Sequence, residues 1–219
     1  MSAGAGTLER AAEAASRPGR QRMSDSERVH TLCEAAEAVF LRDGYAAAHM
    51  DDVARGAGMS KRTLYQVFPS KAALFEATVS AALGPLALVP ARPQEDDLEA
   101  ALVAMIEAVG RHLLAPRQMA LFRLVIAEVH RSPELAEAFH RVTVARGASS
   151  LQRLISAEIR RGRLRLTDAK AAARMLYGAA LGPAQLMTLL GLREPPDERE
   201  ISQLAREAVA VFLRGAQVR

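Results

Sequence analysis

A run of polar residues between positions 60 and 71 carries the side chains best suited to bind an anion. Three are cationic donors and three are neutral hydrogen-bonding groups: Lys61, Arg62, Lys71, Thr63, Tyr65 and Gln66. Lys and Arg bind phosphate oxygens, and the neutral groups can reach phosphates or base edges in a DNA major groove. The run therefore indicates a nucleic-acid partner.

The positive charge is concentrated in this part of the chain. Four basic residues and no acidic residue lie between Val53 and Phe75, whereas residues 24–83 as a whole hold six basic and eight acidic residues. The net charge of +4 for the full chain suits a polyanionic partner but does not establish one. An ordinary solvated helix face for Lys61 and Arg62, and a partly buried Tyr65, are the alternatives that remain open.

A second set of side chains could bind a metal or act in an enzyme: His112, Glu128, His130 and His140. Glu128 and His130 are two positions apart, so they do not share a helical face. The H-E-x-x-H zinc pattern, cysteine pairs and a glycine-rich phosphate loop are absent from the sequence. We therefore predict no catalytic residue, no metal and no cofactor, and keep a small helical enzyme or metal protein as the rival hypothesis.

Two short helices position the polar run. The pattern predicts helices over about 50–57 and 60–67, separated by Gly58, which is the arrangement of a helix-turn-helix. A longer helix precedes them, because Ser24 and Glu27 match a capping box and Gly44 stands where a C-terminal cap belongs. Phe68-Pro69 ends the second short helix, and Ser70 can cap a further helix that breaks or kinks at Gly84-Pro85.

The remaining sequence is also helical in character. Apolar periodicity and capping residues predict helices over 96–114, 117–131, 133–160, 168–191 and 197–214, with Ser132, Thr167 and Asp197 as N-caps. The fold class is therefore all-α, with about nine helices. The single cysteine, Cys33, excludes a disulfide within the chain, and no apolar run is long enough to span a membrane. We expect a cytoplasmic protein.

The segment over roughly residues 28–75 resembles the tetracycline-repressor (TetR) family. The resemblance rests on F-x-x-x-G-Y, D-D-V-A-x-x-A-G-M-S-K-x-T-L-Y and F-P-S-K-x-x-L-F, in that order and at this spacing. It implies a recognition helix at about 60–66, with Thr63 and Tyr65 on DNA backbone or bases and Lys61 and Lys71 on phosphates. It also implies that His49 and Met50 begin a helix whose N-terminus faces phosphate.

One departure from the family pattern lies at the start of that helix. The family usually carries Thr or Ser near positions 48 and 49, where the hydroxyl caps the helix and contacts phosphate, and this chain has Ala48 and His49. His49 can serve as cap and phosphate donor, whereas Ala48 cannot. The departure affects the phosphate contact and leaves the expected fold unchanged.

Residues 1–22 are rich in Ala, Gly, Ser and Arg, which predicts a flexible basic arm that can reach a DNA minor groove, with a solvated tail as the alternative. The resemblance also implies two domains and a dimer. Residues 23–83 would form a three-helix helix-turn-helix DNA-binding domain, and 84–219 a helical ligand-binding and dimerisation domain. The C-terminal half loosely resembles the AefR-like subgroup. We expect a homodimeric repressor, paired through its last two helices, that leaves a palindromic double-stranded operator when a small molecule binds. A ligand-independent or activating regulator of the same fold is the alternative.

The expected effector is an apolar small molecule held among the middle helices. The candidate lining is mostly apolar with a few polar groups, as ligand sites tend to be; its members are Met105, Phe122, Val125, Ile126, Val129, Phe139, Tyr177, Gln185 and Met187. Plain core packing of these residues is the alternative.

Overall fold

The computed structural model describes residues 23–83 and 97–218 of the chain, and it forms nine α-helices over them. The helices are α1 Asp25–Asp43, α2 Met50–Gly56, α3 Lys61–Val67, α4 Lys71–Leu83, α5 Leu98–Leu113, α6 Pro116–Glu128, α7 Pro133–Arg160, α8 Ala169–Leu189 and α9 Glu198–Ala216. The predicted all-α class is confirmed. Within the same two ranges, no helix combines the length and apolarity needed to cross a membrane.

The first helix has the predicted ends. The Glu27 amide donates to the Ser24 hydroxyl at 3.2 Å and the Ser24 amide donates to the Glu27 carboxylate at 2.7 Å, which completes the capping box. At the other end Gly44 has φ 78° and ψ 164°, and its amide donates to the Phe40 carbonyl at 3.0 Å. A backbone in this region is nearly exclusive to glycine, so Gly44 fixes the direction in which the chain leaves α1.

Two predicted caps differ in the structure. Asp168, and not Thr167, caps α8, and its carboxylate accepts from the amides of Lys170 and Ala171 at 2.8 and 3.0 Å. A carboxylate at this position also interacts favourably with the positive end of the helix, which a threonine hydroxyl does not. Ser132 precedes Pro133 at the start of α7 as predicted, but its side chain accepts no capping hydrogen bond.

One hydrophobic core joins the N-terminal helices to two later ones. Buried residues of α1 to α4 pack together with five residues of α6 and α7: Leu124, Val125, Leu135, Ala138 and Val142. The rings of Phe40, Tyr45 and Phe75 lie at its centre, with centroids 5.4 to 5.6 Å apart. The division at residue 83 stays a prediction, and the arm at 1–22 lies outside the described residues.

A second hydrophobic core joins α5, α8 and α9 to the C-terminal part of α7. Gly110 permits a close contact between α5 and α9, because an added Cβ atom would lie 2.8 Å from Ile201 Cγ2. A backbone hydrogen bond joins the end of α9 to the segment between α7 and α8, because the Arg165 amide donates to the Ala216 carbonyl at 2.7 Å. Helices α8 and α9 therefore bury one face each within the chain.

Two ion pairs join α6 and α7 to the N-terminal helices. The Arg117 guanidinium of α6 donates to both carboxylate oxygens of Glu37 on α1, each at 2.5 Å. Arg141 of α7 pairs with Glu76 of α4 at 2.7 Å. The positions of α1 and α4 are thereby tied to those of α6 and α7.

Candidate DNA-binding interface

Helices α2 and α3 form a helix-turn-helix whose turn is set by Gly58. Gly58 has φ 64°, and the amides of Gly58 and Met59 donate back to carbonyls of α2 at 3.1 and 2.9 Å. Ser60 then caps α3 by accepting from the Thr63 amide at 3.1 Å. Leu64 is fully buried against the core, so the opposite side of α3 faces solvent.

The outward side of α3 carries the residues that the sequence suggested. Lys61, Arg62, Tyr65 and Gln66 are exposed, and the Tyr65 side chain is 44% accessible. Thr63 is half-buried, and its hydroxyl lies 2.8 Å from the Ser60 hydroxyl. The structure thus brings these five side chains to one short helix, with four of them directed at solvent.

Carboxylates of α2 engage part of the positive charge on this surface. Lys61 pairs with Asp51 at 2.7 Å, and Arg55 pairs with Asp52 at 2.8 Å. The hydrogen bond to Asp51 raises the pKa of Lys61 above its ordinary value. Arg62 makes no ion pair within the described residues. A phosphate can therefore approach Arg62 without displacing a carboxylate, whereas at Lys61 it must compete with Asp51.

A cleft of about 600 Å³ lies between the start of α2, α3 and the start of α4. Its walls are mainly polar, and they comprise Ala48, His49, Met50, Asp51, Asp52, Lys61, Tyr65, Pro69, Ser70 and Lys71. The cleft is open and its rim includes exposed donors from two helices. Its open shape and polar walls suit the extended backbone of a nucleic acid better than an enclosed small molecule.

Three of the predicted contacts have environments that the sequence did not reveal. Met50 is buried, because its side chain turns into the core at the first turn of α2. His49 is the exposed N-cap residue of α2, but its side chain makes no capping hydrogen bond. The Lys71 ammonium is hydrogen-bonded to backbone carbonyls of the turn before α2. The Met50 side chain is therefore not available to DNA in this conformation.

The predicted ligand-pocket residues are spread over several surroundings. Met105 and Val125 are buried in different cores, and Phe122 and Tyr177 are half-buried against the core of α5, α8 and α9. Phe139 stacks edge-on against Phe122 with centroids 4.9 Å apart. Val129 and Gln185 are half-buried.

Two residues of that predicted pocket lie on the surface. Ile126 and Met187 are 57% and 42% exposed, so neither lines an enclosed cavity of one chain. Ile126 follows the buried Val125 and Met187 precedes the buried Thr188, and a rotation of 100° per residue turns each side chain away from its buried neighbour. The apolar character of a residue does not distinguish these two directions.

A second groove, of about 350 Å³, lies along α8 and α9 and is mainly apolar. Its lining is Met175, Leu176, Ala179, Leu204, Glu207, Ala208, Val211 and Phe212. The apolar residues of α9 divide between two faces of the helix. Ile201, Ala205 and Val209 face the core, while Leu204 and Ala208 line the groove.

The residues considered for a metal do not form a cluster. Among residues 23–83 and 97–218, no group of three His, Cys, Asp or Glu side chains could hold an ion. His112 is half-buried at the end of α5, where burial and the nearby Arg117 charge lower its pKa. Its Nε2 atom is buried and makes no hydrogen bond.

Two family models match this chain, one in its N-terminal part and one in its C-terminal part. Residues 32–78 match the family model for bacterial regulatory proteins of the tetR family, and residues 100–215 match the C-terminal domain of AefR-like transcriptional repressors. The flavonoid-responsive regulator FrrA is 28% identical, with a TM-score of 0.76 over 89% of this chain and 99% of that one. A TetR-family regulator from Pseudomonas syringae pv. tomato is 27% identical, with a TM-score of 0.70 over 90% and 100% of the two chains.

A further match is the HTH-type transcriptional activator FasR of Mycolicibacterium smegmatis. It is 43% identical over 82 residues, which is 36% of this chain and 37% of the length of FasR. The two family models agree with the helix-turn-helix at α2 and α3 and with the helical C-terminal half. The chain belongs to the TetR family of bacterial DNA-binding transcriptional regulators.

Proposed function

We propose that the chain is a homodimeric repressor that binds a near-palindromic operator through α3 and leaves it when an apolar small molecule binds. The observation that carries the proposal is the outward face of α3. Arg62, Tyr65 and Gln66 stand exposed there beside the open polar cleft. Arg and Gln can read base edges, and Tyr and Lys can contact the backbone. We expect the protein to act in the cytoplasm, where the bacterial chromosome lies.

The apolar groove along α8 and α9 supports the proposed dimer. Met175 and Val211 are 72% and 69% exposed, and Leu186 and Leu190 continue the exposed apolar line of α8. An apolar face of this kind on two adjacent helices is the surface that a four-helix dimer would bury. Two-fold pairing would present two α3 helices to half-sites about 34 Å apart.

The case for an effector rests on resemblance and on a half-buried set of side chains. FrrA, by its name, responds to flavonoids and shares 28% of its residues with this chain. Phe122 on α6 and Tyr177 and Gln185 on α8 are half-buried, and they could line a site with apolar walls and few polar groups. An apolar effector that binds one arrangement of these helices more tightly would change the population of DNA-competent dimers.

Activation of transcription is the second candidate, and the match to FasR favours it. FasR is described as an activator, and the matched length is 82 residues. DNA recognition is the same in either case, because the difference lies in where the operator stands relative to the promoter. The two functions are therefore separated by the effect on transcription and not by DNA binding.

The experiment is selection of genomic fragments by the purified protein at physiological salt, followed by sequencing of the bound DNA. The expected result is a palindromic site near the gene for this protein. Arg62→Ala should lose enrichment of that site, while Arg206→Ala, which removes an exposed charge from α9, should retain it. No enrichment for the wild type, before and after unfolding and refolding to remove copurified ligands, would refute DNA recognition by α3.

Transcription in vitro from the recovered promoter then separates the two functions. A repressor lowers transcript yield, and an apolar flavonoid probe should restore it. A rise in yield on adding the protein would instead establish activation and reject the repressor proposal. Failure of the probe together with unchanged thermal stability in its presence would reject a flavonoid-like effector.

A further inference from the structure

The Lys71 side chain crosses from the first turn of α4 to the turn between α1 and α2. Its Nζ atom lies 2.7, 3.0 and 3.1 Å from the carbonyl oxygens of Tyr45, Ala46 and Ala48. The same atom lies 4.6 Å from the centroid of the Tyr45 ring. One ammonium group therefore contacts three backbone carbonyls of the segment that leads into α2, together with an aromatic face.

These contacts occupy all the hydrogen-bond donors of the Lys71 ammonium. An ammonium has three N–H donors, and here three carbonyl oxygens accept from it. A phosphate oxygen could bind Lys71 only by displacing one of them. The displaced carbonyl would lose a charge-assisted hydrogen bond, which is stronger than a neutral one.

Tyr45 anchors the other side of the same turn. Its ring is buried against Phe40 and Phe75, with centroids 5.6 and 5.4 Å away. Burial and the adjacent Glu134 carboxylate raise the pKa of its hydroxyl to about 12, so the ring remains neutral beneath the ammonium. Lys71 therefore ties the backbone of the turn to a ring that is buried in the core.

We propose that Lys71 is a positioning residue for DNA binding, which sets the place of His49 and the start of α2 relative to α3 and does not itself neutralise a phosphate. The inference deepens the proposed DNA interface and rests on it. It replaces the phosphate contact that the family resemblance implied for this lysine. It also explains how α2 starts in a fixed place although His49 provides no side-chain cap.

The test compares the salt dependence of operator binding for the wild type, Lys71→Met and Arg62→Met. Each phosphate neutralised by a side chain contributes about 0.9 to the slope of log affinity against log salt. Lys71→Met should weaken binding about tenfold at every salt concentration while leaving the slope unchanged. Arg62→Met should lower the slope by about 0.9. A slope lowered equally by Lys71→Met, or an unchanged affinity, would overturn the proposal.

A second measurement works without DNA and separates failure of this inference from failure of the interface. Hydrogen exchange of the free protein should be faster at the amides of residues 44–53 in Lys71→Met, with no change in Arg62→Met. Unchanged exchange in that segment would overturn the positioning role. Faster exchange in Lys71→Met, combined with operator binding that neither variant alters, would show that Lys71 orders the turn but that DNA binds elsewhere. That result would refute both the α3 interface and the positioning role.

Discussion

Arg117 and Glu37 form a two-point ion pair between α6 and α1, with both N–O distances at 2.5 Å. The Glu37 side chain is only 11% exposed, whereas that of Arg117 is half exposed. The hydrogen bonds to Glu37 raise the pKa of Arg117, so the guanidinium stays charged at every accessible pH. The pair spans 80 residues of sequence and joins the N-terminal core to the helix on which the candidate pocket residue Phe122 lies.

Removing Arg117 should therefore destabilise the protein more than removing both partners. Arg117→Met leaves a largely buried carboxylate without its partner, and we expect a loss of about 1–3 kcal/mol in the free energy of unfolding. The double variant Arg117→Met with Glu37→Met should recover most of that loss, because no unpaired charge remains. Urea unfolding measures both. A double variant less stable than Arg117→Met would show that the ion pair is not the source of the effect.

The half-buried His112 should make stability depend on pH. Its pKa lies below the ordinary value of 6.5, first because burial disfavours the charged ring and second because of Arg117. The unfolded chain therefore takes up this proton at a higher pH than the folded chain. The contribution of neutral His112 to the free energy of unfolding is fully present above about pH 7. It is lost as pH falls through 6.5 toward the folded pKa, by at most about 1.4 kcal/mol per pH unit.

The measurement is urea unfolding of the wild type and His112→Gln at pH 7.5 and pH 5.5. The wild type should lose more stability over this interval than the variant does. Carboxylates with lowered pKa values, such as Glu76, titrate at lower pH and are common to both proteins. An equal loss in the two proteins would mean that His112 has the same pKa folded and unfolded.

Gly44 and Gly58 both have positive φ, but their surroundings differ. Gly44 adopts φ 78° and ψ 164°, and an added Cβ atom would lie 2.8 Å from Glu128 Oε1. Gly58 has φ 64°, with nothing within 4 Å of an added Cβ atom. We expect Gly58→Ala to cost about 1–2 kcal/mol from backbone strain alone, and Gly44→Ala to cost about 1 kcal/mol more because its region is nearly exclusive to glycine.

Thermal and urea unfolding of the two variants test this order. Gly44→Ala in a Glu128→Ala background isolates the part of the cost that arises from the carboxylate. Glu128 Oε2 is buried without a hydrogen-bond partner, so removing this side chain should itself cost little. Equal costs at the two glycines would contradict the assigned strain at Gly44.

Local signals predicted most of the helices and the short helix that exposes Lys61, Arg62, Tyr65 and Gln66. The capping box of Ser24 and Glu27, the turn at Gly58 and the stop at Pro69 depend on neighbours within four residues, so the sequence contains them in full. The exposed face of α3 followed from the same short-range pattern.

Contacts between distant segments could not be predicted in this way. The three carbonyls that hold Lys71 lie 23 to 26 residues away, and no periodicity encodes them. The sequence was equally ambiguous about which apolar residues on α6, α8 and α9 are buried and which are exposed. Ile126 and Met187 are exposed and Met105 is buried, because the direction of each side chain is set by which helices pack together. Composition and period identify apolar residues, and only packing separates core from surface.

The groove of α8 and α9 gives the last prediction, which concerns the proposed dimer. Val211 is 69% exposed and lines the groove, while Phe212 is half-buried against the core of its own chain. Val211→Asp should therefore dissociate the dimer with little loss of helicity, whereas Phe212→Asp should also lower the stability of the monomer. Because the interface is two-fold, the dimer would bury one unpaired carboxylate from each protomer. The affinity of the two protomers for each other should therefore fall at least a hundredfold.

Sedimentation at micromolar concentration, with circular dichroism on the same samples, measures both effects. Gln203→Asp is the matched control, because it adds the same charge to an exposed site of α9 that does not line the groove. The control should sediment as the wild type does. If Val211→Asp remained dimeric while Gln203→Asp dissociated, the two-fold contact would lie on the side of α9 that carries Gln203. If both remained dimeric, pairing would use other helices, and the spacing of the two α3 helices would have to be derived again from that interface.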